Sequence, residues 1–125
     1  TQSVDLETCY RKIKQVYPNL SVLYSTQRQV QSSSENILQG FIYTDGQLAS
    51  SKQYVIRPII DRVGSGDAFS AGVLHGILKN WEPQQTIDFA SAACVLKHTI
   101  EGDVNLFSEN EIQAFQTITS GEINR

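Results

Sequence analysis

One short segment constrains this chain more than any other: Gly64-Ser65-Gly66-Asp67, set between the strand-like Ile59-Ile60 and an apolar stretch over residues 68–78. Two glycines around a small residue at a helix start leave successive backbone N–H groups with no Cβ in front of them. They also stand at the positive end of the helix dipole. Such a place suits an anion, phosphate above all. A carboxylate there looks self-defeating, unless Asp67 faces an incoming hydroxyl while the amides hold a phosphoryl group beside it. Phosphoryl transfer asks for both: fixed dipoles where charge develops, and a base that orients the nucleophile. The plainer reading is a tight turn with Asp67 capping the helix. Gly-x-Gly-Asp alone does not separate the two.

The flanking pattern predicts a layered α/β domain. Leu6, Cys9, Tyr10, Ile13 and Val16 recur at helical spacing over residues 5–16, and Pro18 with Asn19 ends the helix. Residues 21–25 read as a short buried parallel strand and the polar residues 27–36 as a loop or an irregular edge. Two strands, 37–43 and 47–56, flank Thr44-Asp45-Gly46, a hairpin signal. Residues 68–78 form an apolar helix whose Gly72 and Gly76 permit close packing, at about 1 kcal/mol each in helix propensity. Helices over 83–98 and 108–118 follow, the last opened by a Ser108/Glu111 capping box. The sheet is expected to be mostly parallel, flanked by helices, with the hairpin added. Residues 1–119 make one domain, and 120–125 a flexible polar tail.

With 125 residues and a net charge of −3, the chain suits one compact domain and shows no basic stripe of the kind that binds nucleic acid. No apolar run approaches the ~18 residues of a membrane span, and there is no signal-peptide pattern. Cys9 and Cys94 lack zinc or disulfide spacing and are expected as reduced packing residues, so the chain reads as cytoplasmic. His75 and His98, both on helices, are expected to pack or face solvent rather than bind metal. The chain begins at Thr1 and contains no methionine, from which a longer parent protein is expected.

Residues 61–72, from Asp61-Arg62-Val63-Gly64-Ser65-Gly66-Asp67 onward, resemble the C-terminal signature of the ribokinase-like (pfkB-type) carbohydrate kinases. There an Asp-Thr-x-Gly-Ala-Gly-Asp pattern precedes a buried helix. The Asp-Arg-Val-Gly variant, with Lys97-His98-Thr99-Ile100 and Gly102-Asp103 downstream, is most similar to the 2-keto-3-deoxygluconate kinases of that family. The resemblance implies the C-terminal, ATP-side portion of a ribokinase-like fold. It implies an activity as well: transfer of the γ-phosphoryl of ATP, with Mg2+, to a hydroxyl of a sugar acid.

Position by position, the resemblance makes Asp67 the base that touches the sugar. Gly64, Ser65 and Gly66 form the anion hole, while Ser25, Thr26 and Gly102 border the nucleotide. Asp61 and Val63 match positions that hold a monovalent cation, K+. Arg62 is read as reaching the nucleotide phosphates or the substrate carboxylate. Gln27-Arg28 departs from the glycine-rich continuation common in the family. The Asn-x-x-Glu motif and the sugar-contacting N-terminal half are absent from the chain, so it is expected to be inactive alone and to need that half as a partner; a homo-oligomer is allowed. Two alternatives stand beside this reading: a kinase for fructose, ribose or a nucleoside, and a non-catalytic nucleotide-binding module.

Overall fold

The structure, a computed structural model, describes residues 2–32, 34–57, 59, 64–99 and 107–123. Helix α1 (Gln2–Val16) leads into strands β1 (Val22–Ser32), β2 (Glu35–Thr44), β3 (Gln47–Ser50) and β4 (Tyr54–Ile56). Helices α2 (Ser65–Leu78), α3 (Pro83–Lys97) and α4 (Glu109–Ile123) follow. β2 is the middle of the sheet. β1 runs along one flank, with Val22 opposite Thr44 and Val30 opposite Asn36. β3 and β4 share the other flank, against residues 41–44 and 36–38 of β2.

The α/β layering and the hairpin are as expected, but the mostly parallel sheet is not: every pairing among the described residues is antiparallel. Of the two forms expected for residues 27–36, the described ones take the irregular edge rather than the loop: β1 continues to Ser32 and pairs with β2, with a break in register between Val30 and Ser32. Their polarity has another cause. Among the described residues β1 pairs on one side only, and its second half is largely exposed, so glutamines and serines serve there as well as apolar residues would. Between β2 and β3, Asp45 (φ 54°) and Gly46 (φ 74°) both sit in the left-handed region, as a two-residue type I′ turn requires. The expected second strand breaks at Ser51, whose Oγ accepts from the Gly40 amide while its own amide donates to the Gly40 carbonyl.

Alternation along β2 sends Leu38, Gly40 and Ile42 toward α2 and α3. Phe41 and Tyr43 point to the opposite face, where Tyr10 of α1 packs on Tyr43. Glycines set the distance between layers. A Cβ on Gly40 would stand 2.2 Å from Ser91 Oγ, one on Gly72 2.7 Å from the Ala90 Cα, and one on Gly76 2.4 Å from Thr86 Oγ1. With those hydrogens in place, Phe69, Val73 and Ile87 fill the core, each contributing about 1.5–3 kcal/mol by leaving water. At α4 the capping box forms: Ser108 N donates to Glu111 Oε1 at 3.0 Å and Glu111 N to Ser108 Oγ at 3.2 Å. Phe115 then stacks on Tyr54 of β4.

Ser91 Oγ is buried with no hydrogen-bond partner among the described residues. Gly72→Ala is expected to lose about 1–3 kcal/mol, because the atom it meets is backbone that no side-chain rotation can clear. Ser91→Ala should be close to neutral, since the lost hydroxyl had no partner to leave behind. Urea unfolding of the two variants checks this, and equal losses would contradict the packing described.

Candidate active site

Helix α2 starts from Gly64, whose φ of 81° lies in the left-handed region that glycine enters without strain. The first backbone bond of the helix runs from the Ala68 amide to the Gly64 carbonyl at 2.9 Å. The amides of Ser65, Gly66 and Asp67 therefore have no acceptor among the described residues, as expected for a first helical turn. Among the described residues no side chain, that of Asp67 included, makes a capping bond at this end. Asp67 is exposed, and a Cβ placed on Gly66 would meet nothing within 4 Å. Three donors that no described residue accepts and one exposed carboxylate thus share the first turn of α2.

Ser65 does the reverse with its side chain. It is buried, and its hydroxyl is hydrogen-bonded to the Cys94 thiol on α3. Burial pushes that thiol up to about 11, against smaller opposing effects of the Arg28 charge and the Ser65 bond. On β1, Tyr24 fixes the same end of α2 from the sheet. Its ring lies 5.7 Å from that of Phe69, and its hydroxyl donates to Ser70 Oγ at 3.2 Å.

The two β1 residues singled out from the sequence part company here. Thr26 shares the helix-covered side of the strand with Tyr24. Ser25 turns to the other side, where its hydroxyl bonds the buried Tyr10 of α1. Asp61, Arg62, Val63 and Gly102 lie outside the described residues.

Sequence reasoning passed over two polar clusters. At the end of α3, His98 is fully buried. Its Nε2 lies 2.9 Å from Arg28 Nη2 and its Nδ1 2.7 Å from the Cys94 carbonyl oxygen. A guanidinium only donates, so Nε2 accepts; the ring is then neutral, and Nδ1–H donates to Cys94. The four-residue spacing of Cys94 and His98 was the available signal.

The second cluster joins α2 to α4. His75 Nε2 donates to Glu109 Oε1 at 2.6 Å, Lys79 Nζ lies 3.3 Å from the same oxygen, and the imidazole stacks on Phe89 beside Trp81. Cys9, expected to pack, is exposed. Among the described residues no three His, Cys, Asp or Glu side chains converge on a metal position, and no helix is long and apolar enough to cross a membrane.

The profile of pfkB family carbohydrate kinases matches residues 39–109, more than half of the chain. The chain belongs to the pfkB family. It is similar to a pfkB family carbohydrate kinase from Listeria grayi, at 48% identity and a TM-score of 0.85 over 86% of this chain and 34% of that one. A 2-dehydro-3-deoxygluconokinase from Thermotoga maritima is 32% identical, with a TM-score of 0.85 over 90% of this chain and 34% of that one. A candidate 2-keto-3-deoxygluconate kinase from Enterococcus faecalis is also 32% identical, with a TM-score of 0.77 over 86% and 31%. None of the curated proteins compared with the chain matches it. This pfkB-family chain spans about a third of the length of the solved relatives, and the antiparallel sheet with its helices is a partial ribokinase-like fold.

The Glu109 cluster gives a pH dependence. The hydrogen bond from His75, with Lys79 adding to it and partial burial opposing it, holds the Glu109 carboxyl below the usual glutamate range. A lowered folded-state value means stability that is present above the ordinary glutamate pKa and lost as pH falls through the lower one. The pfkB chain should therefore become easier to unfold on acidification through that window, and Glu109→Gln should flatten this part of the curve. Urea midpoints across the pH range check it; identical slopes in both proteins would count against the pairing.

Proposed function

We propose that this chain is the nucleotide-side part of a sugar-acid kinase that transfers the γ-phosphoryl group of ATP to a hydroxyl of 2-keto-3-deoxygluconate. One observation carries the reading: an exposed Asp67 carboxylate in the same helical turn as three amides that no described residue accepts. Family membership supports kinase chemistry, and the two sugar-acid kinases among its relatives support the acceptor.

In this mechanism the amides of Ser65 and Gly66 and the dipole of α2 hold the transferring phosphoryl group. Gly64 supplies the turn that aims them. Asp67 accepts the proton of the substrate hydroxyl as that oxygen bonds to the γ-phosphorus, and the bond from phosphorus to the bridging oxygen breaks to release ADP. Thr26, on the helix side of β1, borders the nucleotide, as Gly102 would by the family resemblance, whereas Ser25, bonded to Tyr10, contributes to the scaffold. By the family resemblance, Arg62 would serve the phosphates or the sugar-acid carboxylate, and Asp61 and Val63 would hold K+. Mg2+ would be carried by the nucleotide phosphates, which needs no all-protein cage, and the described residues form none. The remaining sugar contacts come from the portion of the family fold that this chain does not span.

Asp67→Asn in the full-length protein keeps the shape and removes the base. The expected result is a loss of about 10²- to 10⁴-fold in kcat with ATP affinity unchanged. A variant that kept more than half of the wild-type rate would exclude Asp67 as the base. A panel of sugar acids, fructose, ribose and nucleosides in an ATP-consumption assay tests the acceptor, and turnover with none of them would favour a nucleotide-binding module.

A further inference from the structure

We propose that Arg28 directs positive charge at the phosphates held by the start of α2, and that the buried His98 is the positioning residue that fixes the Arg28 guanidinium. This rests on the kinase reading above and adds a phosphate-directed cation to it. Arg28 lies on the side of β1 that carries Tyr24 and Thr26, the side turned to the helices. Tyr24 meets α2 through Phe69 and Ser70, just beyond Asp67. Four residues further along the strand, Arg28 reaches across to the end of α3 and meets His98 at 2.9 Å.

The imidazole cannot turn away, because it is fully buried and its other nitrogen is committed to the Cys94 carbonyl. A long side chain held this way gives up most of its rotamers at folding rather than at binding, so the charge is preorganised.

Cys94 completes the connection to the site. Its carbonyl holds His98, while its thiol is bonded to the hydroxyl of Ser65, the first residue of α2. The same thiol senses the Arg28 charge. Arg28 and the open amide of Ser65 thus flank one buried residue. A guanidinium placed there is screened less than a surface cation and matches phosphate oxygens in geometry.

A mere stitch between β1 and α3 would use the same bonds, so the test must separate charge from scaffolding. Calorimetric titration of the full-length protein with MgADP and with adenosine does so. Arg28→Gln keeps a donor for His98 and removes the charge. MgADP affinity is expected to fall at least tenfold while adenosine affinity holds. Equal loss of both ligands would mean scaffolding only, and loss of neither would remove Arg28 from the site; either result overturns the proposal. His98→Gln, which takes away the ring, should show the same phosphate-selective loss at smaller size. It decides the matter if the first variant fails to fold, and unchanged MgADP binding in it overturns the positioning role. Failure of the kinase reading would look different: the wild-type protein would bind MgADP yet phosphorylate no acceptor.

Discussion

The seam between α2 and α3 is the contact on which the rest of the molecule depends. Gly72 lies on the backbone of Ala90 and Gly76 on Thr86, closer than any side chain would allow. Gly40 does the same for the sheet beneath, admitting Ser91 and the ring of Phe69. Interiors at crystal-like density give little room for adjustment. Fixing these approaches therefore fixes the direction of α2, and with it the spot at which its first amides emerge.

That direction matters because the proposed chemistry belongs to a helix end rather than to a cavity. The donors are main-chain groups, placed by the helix axis and by one left-handed residue, Gly64. Their support is divided among several elements: Phe69 and Tyr24 toward the sheet, Cys94 and Ser65 toward α3. Side chains that point inward do the holding, so Gly66 and Asp67 are left to face outward.

Much of this was legible in the residues, and the limits have physical causes. Among the described residues the four helices lie where apolar content, spacing and caps put them, except that α4 runs on to Ile123, into the stretch expected as a polar tail. Asp45-Gly46 fixed the hairpin because few dipeptides tolerate two positive φ values in succession. The turn that opens α2 was readable for a related reason, as Gly64 takes a positive φ that other residues avoid. Strand direction was not readable, because a five-residue apolar run looks the same in a parallel and an antiparallel ladder. The polar half of β1 resembled a loop as much as an edge because a strand paired on one side needs little hydrophobicity. Arg28 and His98 escaped notice because they stand 70 positions apart, and only the folded sheet brings them together.

The two thiols occupy opposite environments, and this gives the molecule a chemical address. Cys94, enclosed beside Ser65 and with a proton held up to about 11, is almost wholly in the unreactive thiol form at neutral pH. Cys9 lies on the exposed side of α1. An electrophilic dye would thus attach to one helix alone, on the far face of the sheet from the start of α2, and report on the fold from a distance.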